Sequence, residues 1–218
     1  MIITIDGPAG SGKSTVAEYL ANKLNFIHFN SGALFRGITA HLLSVDFDID
    51  NIKENSKLPE MDLQVKMIKG VQHVIVNNID HTSVLRNNEI STKVAIVAVN
   101  TNVRKIVDTC QRSFCNTNNV VVEGRDIGSH VFPNAEVKFY LDCDAKERAK
   151  RRYNEEKAKH SKVTLEEILE QIIERDKLDK ERKIAPLVVP NNAIIVNSTT
   201  KNVEEVCLEM LKIIKKHT

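Results

Sequence analysis

Residues 7–15 read GPAGSGKST and follow a short apolar run, residues 1–5, with the sequence MIITI. Two glycines, a lysine and a serine of this stretch meet the pattern G-x-x-x-x-G-K-[ST], in which backbone amides wrap the phosphates of a nucleotide. The pattern predicts nucleotide binding, and it leaves open which group receives a phosphate. The predicted phosphate-binding residues are Gly7, Pro8, Ala9, Gly10, Ser11, Gly12, Lys13, Ser14 and Thr15.

The residues on both sides of the loop have the character that such a loop requires. Residues 2–5 suit a buried strand, and residues 15–24 carry apolar side chains at helical spacing. A glycine-rich turn without a ligand would not explain a lysine followed by two hydroxyls. Lys13 is expected to reach the β and γ phosphates of a nucleotide, and the Ser14 hydroxyl is expected to coordinate Mg²⁺.

The composition is ordinary for a globular protein. The chain has 218 residues, enough for one large domain or for a domain with inserted lobes. With 31 basic and 29 acidic side chains the net charge is +2, so the balance does not indicate a general nucleic-acid binder. No run approaches the roughly 20 apolar residues that cross a bilayer, so no membrane partner is expected.

The location of the protein is predicted from its first residues and its cysteines. Residues 1–6 lack the basic segment and the long apolar segment of an export signal. The four cysteines form no CxxC pair, which favours free thiols in a reducing compartment. The histidines show no HExxH pattern, so a zinc site is not expected. We therefore expect a cytoplasmic protein and, because nothing indicates an exposed interface, a monomer.

The apolar runs predict an α/β protein with the P-loop NTPase fold. Short apolar segments suit buried strands, and helical patterns separate them, as in a parallel sheet with helices on both faces. A closing helix is expected over residues 203–214. The five strands of the predicted sheet are residues 2–5, 26–29, 120–122, 137–141 and 193–196.

Two further segments differ from this core. Residues 37–100 include the runs 63–68 and 71–76 and are predicted to form an inserted lobe with small antiparallel strands. Residues 146–183 are highly charged and helical in pattern, and are predicted to form a short helical lid. The core around the glycine-rich loop is then expected to comprise residues 1–36, 101–145 and 184–218.

Phosphoryl transfer needs positioning and positive charge around the moving group, so arginines outside the loop are candidate site residues. Arg36 lies five residues past Ser31, after the second predicted strand, although it could equally be a solvated helix residue. Arg125 and Asp126 lie between two glycines directly after a buried strand, where a structural ion pair is the alternative. Either Glu123 or Asp126 could support the water molecules of a metal ion.

A third group of charges lies near the end of the predicted lid. Arg175, Asp179 and Arg182 are spaced at i, i+4 and i+7, which predicts one face of a helix. Such runs are usually solvated faces. The apolar residues 184–190, with two prolines, are expected to end that helix and return the chain to the core.

At this point the chain resembles the bacterial cytidylate kinases, within the nucleoside monophosphate kinases. The resemblance covers nearly the whole chain, and its most specific part is EGRDIGSHVFPNAEVKFYLDCDAKERAKRR at 123–152. GPAGSGKST at 7–15, SGALFR at 31–36, QRSF at 111–114 and ERDKLDKERKIAPL at 174–187 support it. The resemblance implies that the core binds ATP and that residues 37–100 form the monophosphate-binding lobe. It implies an ATP-dependent enzyme that, with Mg²⁺, phosphorylates CMP and dCMP to CDP and dCDP, a phosphotransferase with a phosphate group as acceptor.

The resemblance also implies roles for individual residues. Lys13 would act in catalysis together with the arginines that hold the phosphate of CMP. Those arginines would be Arg36, Arg125 and Arg182. Arg175 and Asp179 would hold the sugar, and Ser31, Arg104 and Asp126 would contact the cytosine or its surroundings. The lid arginines near the ATP phosphates would be Arg148 and Arg152.

Several positions depart from the usual pattern of the family. Asn30 stands where aspartate is common, Phe35 replaces a frequent tyrosine, and Thr101 occupies the position of a usual proline. Ala95 stands where a serine that helps to read cytosine is common. Loss of one polar contact to a base weakens selectivity by on the order of 1–3 kcal/mol, so base choice is the less secure part of the prediction.

Two alternatives stay open at this point. A P-loop kinase for UMP or another small acceptor, such as shikimate, would carry the same loop. A nucleotide-dependent switch would ordinarily carry D-x-x-G and N-K-x-D motifs. Neither is present, since Ala145 stands in the place of the glycine after Asp142.

Overall fold

The computed structural model of the chain describes residues 1–158 and 163–216. It divides into two compact units, of which the first comprises Met1–His28 and resumes at Val120, and the second is Phe29–Asn119. No helix within the described residues is long and apolar enough to cross a membrane. The finer division into core, lobe and lid at the boundaries given above stays a prediction.

The first unit is built on a parallel sheet, as the apolar runs predicted. Its strands lie in the order β2-β6-β1-β7-β8, and β1 is the central one. The interiors of β1 and β6 are β-branched and fully buried, for example Ile3 and Ile5 in β1 and Val121 in β6. β2 leads the chain from the first unit into the second. The strands are β1 (Ile2–Asp6), β2 (Ile27–Asn30), β6 (Val120–Glu123), β7 (Val137–Asp142) and β8 (Ile194–Asn197).

Four helices belong to the first unit, α1 (Lys13–Leu24), α5 (Ala145–Ala158), α6 (Leu165–Glu181) and α7 (Val203–Ile214). Apolar side chains of α1 and α7 pack with the sheet in one core, including Leu20 and Met210. α5 and α6 pack on each other through a smaller apolar cluster of their own. The helical pattern predicted for both segments is confirmed. Residues 159–162 of the predicted lid lie outside the described residues.

The second unit contains the small antiparallel sheet that the runs at 63–68 and 71–76 predicted. Its strands β3 (Leu63–Ile68), β4 (Val71–Val76) and β5 (Ile79–Asp80) pair in that order. Each helix begins at an asparagine whose side chain caps it, namely Asn30, Asn87 and Asn100. The helices are α2 (Ser31–Ser44), α3 (Asn88–Val97) and α4 (Thr101–Cys115).

Candidate active site

The loop between β1 and α1 turns at glycines. Gly7 has a φ of +150°, and a Cβ there would lie 2.3 Å from the carbonyl oxygen of Leu141 in β7, so no larger residue fits. The loop ends where α1 begins, at Lys13. The first amides of a helix have no partner within the helix, and the positive end of the helix dipole favours an anion beside them. This arrangement is suited to holding nucleotide phosphates.

Lys13 lies inside the curve of this loop. It is 5% exposed, and its ammonium group donates a hydrogen bond to the carbonyl oxygen of Pro8 at 2.6 Å. Burial and then the positive charge of Arg125 hold the pKa of Lys13 well below its usual range, and the carboxylates of Glu123 and Asp6 act in the opposite direction. The first unit therefore brings the lysine of the loop into the electrostatic field of the arginine that follows β6.

Glu123, the last residue of β6, is a buried carboxylate beside the loop. Its Oε1 lies 3.2 Å from Nε2 of His28 in β2, and the Ser14 hydroxyl is hydrogen bonded to it as well. Burial acts to raise the pKa of Glu123, but the His28 hydrogen bond, the charge of Lys13 and the Ser14 hydrogen bond outweigh it, so the pKa lies below its usual value. The carboxylate is thus charged at neutral pH.

These oxygen donors fit a magnesium ion. Within the described residues no three His, Cys, Asp or Glu side chains are grouped as a metal site. Mg²⁺ does not need such a group, because it usually keeps several waters and takes one or two protein oxygens together with substrate phosphates. The exposed hydroxyl of Ser14 supplies one hard oxygen, and its hydrogen bond to Glu123 leaves the oxygen lone pairs available.

Five residues singled out in the sequence come together around two carboxylates in the first unit. Arg125 donates from Nε to Oδ2 of Asp179 at 2.9 Å, and Arg175 lies 3.5 Å from the same carboxylate. Arg182 pairs with Asp126 at 3.1 Å. Burial acts to raise the pKa of Asp179, but Arg125 and Arg175 outweigh it and lower the pKa. Three guanidinium groups facing two carboxylates leave an excess of positive charge, which suits a phosphate dianion.

The structure corrects the placement of Arg182. The spacing predicted that Arg175, Asp179 and Arg182 share one helix face, but α6 ends at Glu181. Arg182 is the first residue beyond the helix, with an extended backbone (φ −61°, ψ 138°), and its Nε donates to the carbonyl oxygen of Ala185 at 2.6 Å. The helix ends before Pro186 is reached, so the proline does not terminate it. The loop after α6, rather than the helix, holds Arg182.

Asp6 is a residue of this region that the sequence analysis passed over. Its carboxylate is fully buried and accepts hydrogen bonds from the backbone amides of Ile127 at 2.8 Å and Gly128 at 2.7 Å. These amides begin the short π-helical turn that follows Arg125 and Asp126. The sequence signal that could have identified Asp6 is its position at the end of an apolar strand, directly before the glycine-rich loop.

The lid arginines differ sharply in their surroundings. Arg148 is 3% exposed and donates to the carbonyl oxygens of Ala9 and Cys143, each at 3.0 Å. Arg148 also forms a bidentate ion pair with Asp176 of α6, at 3.1 and 2.6 Å. The sequence analysis did not predict this pair. Arg152 has a side chain that is 52% exposed and lies 3.8 Å from Glu156. Their assignment to the ATP phosphates stays a prediction.

The second unit holds the other predicted acceptor residues. Asn30 caps α2 by accepting the amide hydrogen of Ala33, and its Oδ1 also accepts a hydrogen bond from Arg36 at 3.4 Å. Ser31 is buried as the first residue of α2, and Arg104 is buried with its guanidinium carbon 5.6 Å from the centre of the Phe35 ring. Asn30 thus has a structural role beyond replacing an aspartate.

A central parallel strand that ends in a glycine-rich loop and a helix, with a lysine and arginines gathered beside it, defines a P-loop phosphotransferase. Solved structures show the same fold. TT1252 from Thermus thermophilus is 17% identical with a TM-score of 0.52, covering 99% of this chain and 96% of that one. A gluconokinase from Sinorhizobium meliloti is 13% identical with a TM-score of 0.50, covering 98% of this chain and 91% of that one.

Within this class, the family model of cytidylate kinases matches residues 3–216, and the chain belongs to that family. It is 40% identical over 214 residues to the cytidylate kinase of Bacillus subtilis, covering 98% of this chain and 96% of the relative. It is 41% identical over 216 residues to that of Carboxydothermus hydrogenoformans, covering 98% and 97%. For the cytidylate kinase of Fusobacterium nucleatum the identity is 40% over 217 residues, covering 99% and 98%. The family predicted from the sequence motifs is confirmed.

Proposed function

We propose that this chain transfers the γ-phosphoryl group of ATP to CMP and dCMP, forming CDP and dCDP. Membership of the cytidylate kinase family over nearly the whole length supports the reaction and its acceptor. The single observation that carries the proposal in the structure is the cluster of Arg125, Arg175 and Arg182 in the same unit as the loop lysine. Lys13 is proposed to bind the phosphates of the donor nucleotide, and the arginine cluster is proposed to bind the acceptor nucleotide.

The donor half of the reaction uses the loop and its neighbours. Backbone amides of the loop, residues 7–15 apart from Pro8, and the ammonium group of Lys13 bind the β and γ phosphates, where they neutralise charge that moves towards the leaving oxygen. Bound Mg²⁺, held by Ser14 and phosphate oxygens, would add positive charge between those phosphates. Glu123 fixes the Ser14 hydroxyl and, of the two carboxylates considered from the sequence, is the one beside it. Asp126 is engaged with Arg182 instead.

The acceptor half uses the arginine cluster. Arg125 and Arg182 bind the phosphate of CMP and reduce its repulsion from the γ phosphate, so that an acceptor oxygen can attack phosphorus in line. The new bond joins that oxygen to the γ phosphorus, and the bond from the γ phosphorus to the bridging oxygen of ADP breaks. The proposed sugar contacts are Arg175 and Asp179, and Asp126 contributes near the base. Three proposed acceptor residues belong to the second unit. Arg36 is proposed to bind the phosphate, and Ser31 and Arg104 are proposed to contact the cytosine or its surroundings.

UMP and other small acceptors are the alternative substrates. Ala95 lies half-buried in α3 and Asn30 caps α2, and neither offers the polar group that the family pattern leads one to expect there. A smaller set of polar contacts to the base favours weaker discrimination between cytosine and uracil. The preference is a matter for measurement, because the arginines that receive the phosphate are common to all these acceptors.

A panel of acceptors tests the proposal. ADP release would be followed by a coupled assay with CMP, dCMP, UMP, AMP, dTMP and shikimate, in parallel with the Lys13→Ala variant purified in the same way. We expect CMP and dCMP to be the best acceptors, and the Lys13→Ala variant to be almost inactive with every one. Failure of both cytidine nucleotides would refute the proposal, and activity that survives in Lys13→Ala would identify a contaminating kinase.

We propose that the enzyme is located in the cytoplasm and that it is a monomer. All four cysteines are free thiols, and three of them are buried, which suits a reducing compartment. Analytical ultracentrifugation at several concentrations tests the monomer, since a sedimentation coefficient that rises with concentration would contradict it.

A further inference from the structure

A histidine touches the carboxylate that supports Ser14. His28 lies in β2, and its Nε2 is 3.2 Å from Oε1 of Glu123 at the end of β6, the neighbouring strand. A charged carboxylate can only accept hydrogen bonds, so Nε2 must carry the hydrogen. The His28 side chain is 26% exposed, whereas that of Glu123 is 5% exposed. The contact therefore joins a partly solvated donor to a buried acceptor.

Glu123 depends on this contact for its orientation. A glutamate side chain has three rotatable bonds, and Ser14 alone would leave its carboxylate free to turn about the hydrogen bond that they share. The hydrogen bond from His28 adds a second fixed point on a rigid strand, and together with the Ser14 hydrogen bond and the charge of Lys13 it holds the carboxylate charged in spite of burial. With its orientation fixed by His28, the Glu123 carboxylate determines the direction in which the Ser14 hydroxyl donates its hydrogen.

We propose that His28 is a positioning residue that, through Glu123, aims the Ser14 oxygen at a bound Mg²⁺–nucleotide. The hydroxyl hydrogen of Ser14 is directed to Glu123, so the oxygen lone pairs remain available to a metal ion. Groups that orient the ligands of a metal ion in this way typically change metal affinity by about 10- to 100-fold when they are removed. The inference rests on the proposed function, because Mg²⁺ at Ser14 is part of it.

Nucleotide binding without catalysis tests the inference. The affinity for ADP would be measured by titration calorimetry with Mg²⁺ and with EDTA, for wild type and the variants His28→Leu, His28→Gln and His28→Asn. Glutamine places its amide nitrogen where Nε2 of histidine lies, whereas asparagine places it at the Nδ1 position. The Gln and Asn variants are therefore a matched pair that differ in reach and not in chemistry.

We expect wild type and His28→Gln to share the gain in ADP affinity that Mg²⁺ provides. In His28→Leu and His28→Asn that gain should fall by about tenfold, while the affinity in EDTA stays the same. An equal Mg²⁺ gain in all four proteins would overturn the inference. So would a loss of affinity that is the same in Mg²⁺ and in EDTA, because it would indicate a structural role. If His28→Leu fails to fold, the comparison of Gln with Asn still decides.

The failure of the proposed function would look different. A protein that phosphorylates neither CMP nor dCMP contradicts the proposed acceptor, but it leaves the ADP titrations readable, since they contain no acceptor. Conversely, normal phosphorylation of CMP by His28→Asn together with an unchanged Mg²⁺ gain would contradict the role of His28 and leave the proposed reaction intact.

Discussion

Asp6 and Gly128 lie far apart in the chain, and the carboxylate of Asp6 accepts the amide hydrogen of Gly128 at 2.7 Å. A Cβ on Gly128 would lie 2.7 Å from the Thr4 hydroxyl and 3.2 Å from Oδ2 of Asp6, so the close approach requires glycine. Asp6 directly precedes the phosphate-binding loop, and Gly128 follows Arg125 by three residues. The buried carboxylate of Asp6 therefore attaches the segment after Arg125, a proposed acceptor residue, to β1, the strand that leads into the phosphate-binding loop.

Replacement of Asp6 by asparagine should disturb the acceptor side more than the donor side. The amide has one accepting oxygen where the carboxylate has two, so the amide of Ile127 or of Gly128 loses its partner. A buried unsatisfied group costs about 1–3 kcal/mol, and we expect the free energy of unfolding to fall by that amount in urea titrations. The KM for CMP should rise several-fold while the KM for ATP changes little.

A pH profile separates this role from simple loss of stability. Burial, as the largest effect, raises the pKa of Asp6 to about 6. Below that pH wild type carries a protonated carboxyl and approaches the asparagine variant, so the difference in KM for CMP between the two proteins should narrow as the pH falls. A difference that stays constant across the range, or an equal rise in the KM values of ATP and CMP, would contradict the positioning role.

Arg182 should contribute mainly to use of the acceptor. It pairs with Asp126 at 3.1 Å and is held by Ala185, so it is placed without help from the donor loop. Removal of a charge-assisted contact costs about 1.5–3 kcal/mol, which corresponds to roughly a 10- to 100-fold loss in kcat/KM for CMP in Arg182→Ala. Steady-state kinetics with each substrate varied in turn would measure it. An unchanged kcat/KM would contradict the proposed contact between Arg182 and the phosphate of CMP.

Arg148 and Arg152, predicted together as phosphate contacts, should behave differently when mutated. Arg148→Met leaves the Asp176 carboxylate without its partner and removes the support of Ala9 in the loop. Breaking a buried pair typically costs about 3–5 kcal/mol, so the melting temperature should fall clearly and the KM for ATP should rise. Arg152→Met removes an exposed side chain and should leave the melting temperature unchanged.

The double variant Arg148→Met, Asp176→Leu is the control for the buried charge. Because it removes both members of the pair, it should recover much of the stability that Arg148→Met loses. If ATP use is not restored with it, the loss comes from a contact of Arg148 other than the ion pair, either with Ala9 of the loop or with the nucleotide. A melting temperature for Arg148→Met equal to that of wild type would show that the contacts to Ala9 and Asp176 contribute nothing to the fold.

The fold was predictable because its signals are local. The glycines and Lys13 of the loop, the β-branched runs of the strands and the alternating runs at 63–68 and 71–76 each specify their structure within a few residues. The tertiary contacts were not predictable in the same way. Asp6 acts on Gly128, and Arg148 on Asp176, across long stretches of chain, and no sequence period marks such a pair. Arg182 was misplaced because side-chain spacing carries no information on where a helix ends.

Two histidines of the second unit should make its stability sensitive to acid. His41 in α2 and His81 after β5 are 5% and 6% exposed, and their ring centres lie 5.6 Å apart. Nε2 of His41 is 3.1 Å from the amide nitrogen of Asn77, so this ring nitrogen accepts and the ring is neutral. Burial lowers the pKa of both groups, and for His81 the neighbouring His41 lowers it further. The unfolded chain, with ordinary histidines near pKa 6.5, then binds protons more readily than the folded one.

Stability should therefore be full above about pH 6.5 and fall as the pH drops through that value towards the lowered native pKa values. Thermal unfolding followed by circular dichroism between about pH 8 and pH 5 would measure this, with the expectation that the double variant His41→Gln, His81→Gln loses less stability in acid than wild type. His73→Gln, which leaves both buried rings in place, should show the same acid loss as wild type. If the melting temperatures of the double variant and of wild type fall in parallel as the pH drops, the charging of these rings does not drive acid unfolding. A group with the same pKa in the folded and unfolded states does not change the dependence of stability on pH.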